Sequence, residues 1–489
     1  MNGLVVATEC PTCGAPLDFP EGTNAIRCAH CGSNLLVTGR KRVLSYWVRP
    51  RVGVARAVER VRAAAPRALG QVGTPRLAFV PFYRVAGHEF RWERVPRPVP
   101  KEPIEPGFWS PGRSAKWVTA LHDGDDLVTT ISWAADRVRE LISARPGPES
   151  PRPDRPDPSP RTVADRAVSR RRDPDLRDPV FRDRYVDRTL LASDLPDFGV
   201  ESLGVRASVL RVDLFRRDAL AALGRVVPVD VSAETALAVG MRPMDAGDVL
   251  HRTVIGRVLS LIYFPFWTVP IGQDADRRLA IVDAVADSVV KLDAPAALEA
   301  GLDRGEERTR EVVGFRPLVC PNCGGDLPVR PDDVIFACGG CQRAWQVHGA
   351  DFSGVVAEVA EVARPPRVAE RLKYLPFWVL AAGAGADARR FFAPAFRFRR
   401  LKFLADLARK LSGADPAWTP STLPPPDLHG CHYDAEDAVL LARFTAIGLG
   451  REPEPSFTRA SLAWFPFRNE HHTWRDPFTG LALPEDLLV

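Results

Sequence analysis

The sequence predicts a multidomain α+β chain. Two small four-cysteine units are each followed by a mixed sheet and helix module, and the layout suggests an internal duplication. Three observations predict it. "CPTCGAPLDFPEGTNAIRCAHC", Cys10 to Cys31, and "CPNCGGDLPVRPDDVIFACGGC", Cys320 to Cys341, share the spacing C-x2-C-x14-C-x2-C. Four hydrophobic runs rich in β-forming residues end in Pro-Phe. Segments with helical periodicity lie between them. At 489 residues the chain exceeds one ordinary core. The expected segments are 1–40 (first four-cysteine unit), 41–145 (α+β module), 146–185 (Pro/Arg/Asp-rich linker), 186–313 (α+β module), 314–350 (second unit) and 351–489 (α+β module).

The cysteine units come first because their chemistry is the most specific. Of nine cysteines, eight fall in these units as CxxC pairs, and only Cys431 is left over. A C-x2-C pair on a tight turn aims two sulfurs at one point. Gly14, Gly32 and Gly324 follow such pairs, where the chain needs a permissive φ. Gln342 takes the fourth of these positions, so that turn is less ideal. The fourteen residues between the pairs are expected to form a hairpin, turning at Pro20-Glu21-Gly22 in one unit and Pro331-Asp332-Asp333 in the other.

Four cysteines at this spacing in a large chain point to metal ligation, not to disulfides. Zn²⁺ favours four tetrahedral thiolates. The metal ligands are therefore expected to be Cys10, Cys13, Cys28 and Cys31 in one site, and Cys320, Cys323, Cys338 and Cys341 in the other. The cofactor expectation is two structural zinc ions. A thioredoxin-like reading fails, because one CxxC would suffice and no βαβ context surrounds either unit. The "CPxCG" and "CxxC" knuckles resemble those of the zinc-ribbon family over residues 8–38 and 318–348. The combined layout resembles bacterial double zinc-ribbon proteins. The resemblance implies small folds closed around metal, and four thiolates leave no open position for catalysis. His30, inside a CxxC, reads as a solvated turn residue.

The charge balance separates partner classes. The formal net charge is +5. Eight thiolates remove eight charges and two Zn²⁺ return four, which leaves about +1. The first unit carries Asp18, Glu21 and Arg27 between its outer cysteines; the second carries Asp326, Arg330, Asp332 and Asp333. Phosphate recognition wants a basic cluster, and neither unit has one. No apolar run reaches the roughly 18 residues a membrane span needs. The first residues, "MNGLVVATEC", lack a signal-peptide pattern, so a cytoplasmic location is expected.

The second repeat follows. "RLAFVPFY" ends at Tyr83, "LSLIYFPFW" at Trp267, "RLKYLPFW" at Trp378 and "ASLAWFPFR" at Arg468. Each reads as a buried strand. Pro81, Pro265, Pro376 and Pro466 cannot donate to a ladder, so each is expected on an edge strand, at a bulge, or where a strand leaves its sheet. The aromatics are expected to fill a core more than to line a groove. Short hairpins are expected around Asp283–Asp287 and Asp476–Gly480. The order unit, PFY, PFW with hairpin, then unit, PFW, PFR with hairpin, is what suggests duplication.

Helices are expected in "VARAVERVRAAA", with Val54, Val58 and Val61 on one face, and in "RRLKFLADLARKL", with Leu401, Leu404, Leu407, Ala408 and Leu411 inward and a basic outer face. "SAETALAVG" starts at Ser232, and Asp434 caps "AEDAVLLARF". Residues 146–179 are rich in Pro, Arg and Asp with almost no apolar content, which is the composition of a linker. The Gly/Ala-rich 381–388 reads as a loop between strands.

No phosphate loop, dinucleotide fingerprint, HExxH or GxSxG is present. The candidate left for chemistry is "LHGCHYD", with His429, Cys431, His432 and Asp434, as a third metal site or an activated thiol. His471 and His472 in "NEHHTW" read as a polar turn. The functional expectation is a non-enzymatic, zinc-stabilised scaffold or adaptor that binds a protein partner. The alternatives are a nucleic-acid-binding accessory factor of transcription or replication, and an enzyme that uses the His429/Cys431/His432 cluster in a concave pocket.

Overall fold

The structure, a computed structural model, describes residues 4–39, 42–65, 72–94, 180–204, 210–242, 248–273, 276–306, 310–361, 371–383, 389–421, 428–449 and 455–489. The expected linker at 146–179 lies outside the described residues, as do 384–388 of the Gly/Ala-rich loop. One compact unit comprises Met1–Trp92, Phe181–Met244 and Val249–Val489, and everything below concerns it. The other comprises Glu93–Val180 and Asp245–Asp248, mostly outside the described residues.

The first four-cysteine unit holds strands β1 (Val5–Glu9), β2 (Pro16–Pro20), β3 (Ala25–Arg27) and β4 (Asn34–Thr38). β1 pairs with β2 and β3 with β4, both antiparallel. The expected hairpin across the fourteen intervening residues is therefore corrected. Each CxxC is the turn of its own hairpin, and the intervening residues link the two. The physical reason is the knuckle: Gly14 N donates to Cys10 O and Gly32 N to Cys28 O, which reverses the chain at each pair.

The first module continues with β5 (Leu44–Trp47), helix Val54–Ala64, β6 (Arg76–Arg94), β7 (Val180–Leu191), β8 (Arg211–Leu214), β9 (Arg225–Val226), β10 (Asp248–Ile271), β11 (Arg278–Asp283) and β12 (Ser288–Pro295). β7 begins inside the stretch expected to be linker. Helix Ala233–Gly240 is capped by Ser232, whose side chain accepts from Thr235 N. In helix Val54–Ala64 the buried residues are Ala57 and Val61, while Val54 is exposed. The inward stripe is thus rotated from the expected one, because the first turn overhangs the sheet that Ala57 and Val61 reach.

The second unit and module follow with β13 (Gly314–Pro317), β14 (Ile335–Ala337), β15 (Ala344–His348), β16 (Asp351–Val355), β17 (Ala357–Ala360), β18 (Leu372–Ala382), β19 (Arg389–Pro394), helix Leu401–Ala414, β20 (Pro420–Ser421), helix Ala435–Gly448, β21 (Phe457–Glu470), β22 (Thr473–Arg475) and β23 (Ala482–Pro484). Leu401, Leu404, Leu407, Ala408 and Leu411 are all buried, as their spacing predicts. Asp434 caps its helix by accepting from Glu436 N and Asp437 N.

Two large sheets result. One contains the path β12-β11-β10-β5-β8-β1-β2, with β6 on β10, β7 and β9. The other contains β19-β18-β21-β17-β20, with β22 and β23 continuing from β21. Their connections match. A short strand downstream of each four-cysteine unit runs parallel to the last long strand of its sheet, β5 along Ser260–Tyr263 and β17, which follows β16, along Leu462–Trp464. Each long strand then passes through Phe-Pro-Phe and turns into a hairpin. The two aspartate turns match as well: Asp283 Oδ1 accepts from Val285 N and Ala286 N, and Asp476 Oδ1 from Phe478 N and Thr479 N.

The four prolines do not end their strands, nor do they lie at edges. They sit in central strands at the points where the neighbour on one side changes. β5 leaves β10 at Tyr263 and β11 joins at Phe266, with Pro265 between. β17 leaves β21 at Trp464 and β22 joins at Arg468, with Pro466 between. At three of the four, the proline carbonyl accepts from the incoming side: Ala192 N to Pro81 O, Ala284 N to Pro265 O and Ala395 N to Pro376 O. A strand residue points its N and C=O to the same side, so the absent N–H faces the changeover, where a ladder partner is missing. Phe82, Phe266, Phe377 and Phe467 are buried in the cores, as expected.

Candidate metal centres

The two four-cysteine units repeat each other's knuckle bonds and second-hairpin register, although the five-pair first hairpin of one unit is a single bridge, Val319 to Asp326, in the other. Ala25 pairs with Leu36, Ile26 with Leu35 and Arg27 with Asn34; Ile335 pairs with Gln346, Phe336 with Trp345 and Ala337 with Ala344. Cys10 N to Ala15 O is repeated as Cys320 N to Gly325 O, and Cys28 N to Ser33 O as Cys338 N to Arg343 O. Gly14 and Gly324 both have φ +72, Gly32 has +73 and Gln342 has +58. Gln342 thus takes the left-handed conformation that glycine takes in the other three knuckles.

The knuckles bring all eight expected ligands into two sets. Within each set the four Sγ atoms lie within 4.8 Å of one another. Cys10 and Cys31 are 3.8 Å apart and Cys13 and Cys28 3.9 Å; the second site shows 3.6 Å for both Cys320–Cys341 and Cys323–Cys338. A tetrahedron with metal–sulfur bonds of about 2.3 Å has edges of about 3.8 Å. A disulfide needs about 2.0 Å. All four corners are sulfur, one knuckle cysteine of each pair is buried, and none is in a disulfide. The donor set fits a soft, tetrahedral divalent ion. The local field splits the thiols of each site, pushing Cys13 up to about 12 and Cys323 up to about 11 and lowering others. The Ser33 hydroxyl, 3.1 Å from Cys31 Sγ, and the Ser33 amide hold that thiol down to about 6. At Cys320, burial pushes the thiol up, but the amides of Cys323 and Asn322 outweigh it and bring it to about 6.

The units also touch each other. β13, just before the second unit, pairs with β4 of the first. Asn24 N donates to Pro331 O, joining the two tips. Ala25, Leu36, Leu318, Leu327, Phe336 and Val347 form one buried cluster. Each tip is further pinned by an acid–arginine contact. Glu21 bonds Arg84, which also holds Asp187 at 2.7 Å, and Asp332 bonds Arg397 at 2.7 Å. Burial pushes the Glu21 carboxyl up, and Arg84 opposes this.

The His429–Asp434 stretch is divided among several tasks. Asp434 caps a helix. Cys431 is buried among Val334, Ile335 and Leu441, with Sγ 3.5 Å from Tyr433 O, and its carbonyl accepts from Val334 N. The stretch is thus a backbone clamp on the second unit. The candidate joint His/Cys ligand set is not formed: among the described residues, only the two four-cysteine groups bring three or more metal-binding side chains together. His429 and His432 do line a cleft of about 330 Å³ with Arg330, Pro331, Asp332, Asp333, Lys373, Leu428 and Gly430. Asp333 and Lys373 were not singled out from the sequence. They lie far along the chain from His432, and only the clamp brings them together. His471 and His472 form the two-residue turn between β21 and β22, both at positive φ, and His30 is exposed.

Among the described residues, no helix is long and apolar enough to cross a membrane. Compared with protein-family models, curated proteins and solved structures, the chain matches none.

Proposed function

We propose that the protein is a non-enzymatic cytoplasmic scaffold or adaptor, stapled by two structural zinc ions in zinc ribbons and offering a joint surface to a protein partner. The observation that carries this reading is the closed donor set. Each site has thiolate at all four tetrahedral corners, so an ion held there has no open position for substrate or water. The reading includes a duplication of ribbon plus sheet module. It is supported by the repeated knuckle bonds, the parallel strand placed just before each Phe-Pro-Phe, and the matched aspartate turns.

Zinc analysis of the purified full chain tests the base of the proposal. About two ions per chain are expected, and none would remove it. Affinity capture followed by identification of partners tests the adaptor role. A salt-dependent mobility shift of DNA or RNA would transfer the proposal to the nucleic-acid reading. The enzyme reading has one observation in its favour, the cleft at His429 and His432, although Cys431 does not line it.

A further inference from the structure

We propose that the cleft between the tip of the second unit and the 428–432 clamp binds a small oxyanion, a carboxylate or a phosphate group, through His432, Asp333, Arg330 and Lys373. The argument begins with hydrogen bonds that are missing. Asp333 is 3% exposed, and among the described residues no group donates a hydrogen bond to its carboxyl, which lines the cleft. Arg330 Nη1 and His432 Nε2 each stand 3.8 Å from one of its oxygens. A buried carboxyl without a partner is costly and rare. His432 lines the same cleft. Arg397 N donates to its Nδ1 at 2.9 Å, so in the neutral ring the proton sits on Nε2, and Asp333 Oδ1, 3.8 Å away, is beyond hydrogen-bond reach. His429 Nε2 is also buried without a partner.

Two groups 3.8 Å apart suit one bridging oxygen about 2.8 Å from each. Gly430 makes the convergence possible. A Cβ there would stand 2.1 Å from Asp333 Oδ1 and 3.1 Å from His432 Nε2.

The sign of the ligand follows from the surrounding charges. The tip contributes Arg330, Asp332 and Asp333; β18 contributes Lys373; the clamp contributes His429 and His432; the segment after β19 contributes Arg397. Asp332 is neutralised by Arg397. Burial first, and then these cations, hold His429 down to about 4 and His432 to about 3, so both are neutral donors at physiological pH. Burial pushes Asp333 up to about 7, opposed by Arg330 and aided by Asp332. Protonated, Asp333 joins His432 as a donor; ionised, it repels an anion. The His429/His432/Asp333 set does not close around a cation, and Arg330 and Lys373 would repel one.

The test is calorimetric titration of the zinc-loaded full chain with sulfate and with succinate, which keep a nearly constant charge between about pH 6.5 and 8.5. The ¹⁵N resonances of His432 report the location. Saturable binding that is about tenfold or more tighter at the lower pH is expected. Sulfate preference identifies a phosphate-type ligand, and succinate preference a carboxylate. Lys373→Gln should weaken binding severalfold, and Asp333→Asn should retain binding while removing its pH dependence. The proposal is overturned if neither anion saturates, if His432 does not respond, or if both variants bind like the parent protein.

Discussion

Gln342 shows how much one backbone angle can carry. Its φ of +58 matches the three glycines at the equivalent knuckle positions, but it has a Cβ, for which the left-handed region costs about 1 kcal/mol. Gln342→Gly should raise stability by about 0.5–1 kcal/mol, read as a higher unfolding midpoint of the zinc-loaded protein, and Gly32→Gln should lower it similarly. A fall on Gln342→Gly would mean that the side chain stabilises the knuckle in another way. Asp333 carries a pH signature. Its carboxyl is raised to about 7 by burial, so between about pH 4 and pH 7 the folded state binds more protons than the unfolded state. Stability from this group is present at the acid end and is lost as pH rises through that window. Asp333→Asn should flatten this part of the pH–stability profile, an effect of at most about 4 kcal/mol. A parent profile that rises steadily from pH 4 to 7 without a matching change in the variant would contradict it.

At the scale of elements, the knuckles, the caps and the inward stripe of 401–411 were legible because each is set by a few neighbouring residues, whereas the stripe of helix Val54–Ala64 was misplaced. Cys spacing and following glycines specify a reversal, Asp434 and Ser232 specify helix starts, and the leucines of 401–411 specify a face. Strand partners were less legible. The prolines read as edge or exit signals because a lone strand cannot show that its neighbour changes opposite Pro265 or Pro376. The candidate cleft was half legible: His429 and His432 stood out, whereas Asp333 read as a turn residue until the clamp placed it beside them. The acid–arginine pins were equally hidden, since Glu21 and Arg84 are far apart in sequence. Both side chains are almost fully buried, so removing one partner strands the other's charge. Arg84→Met should destabilise the fold by about 3–5 kcal/mol, and adding Glu21→Gln should recover a substantial part of that loss. Denaturant unfolding of both variants measures this; equal losses in the single and double variants would mean that Arg84 acts through Asp187 alone.

At the scale of the whole molecule, the question is whether the two candidate metal centres act separately. Their shared boundary argues that they do not. β13 completes the sheet of the first unit while leading directly into Cys320, and Asn24 N to Pro331 O ties the tips together. Phe336, Leu36, Cys320 and Cys338 belong to one buried cluster. Folding energy of a thiolate site is metal-binding energy. Loosening the second unit therefore removes packing from β4, which carries the chain away from Cys31. Contacting sites couple by about 0.5–3 kcal/mol. Cys323→Ser should abolish metal at its own site and also speed zinc release from the first site by about tenfold, the middle of that range. A chelator with a zinc-dependent absorbance reads both amplitude and rate. Unchanged release from the first site, with half the amplitude, would show two independent staples on one chain. Faster release would show that the paired units form one mechanical joint between the two sheets, so a partner or ligand that engages one unit is felt at the other.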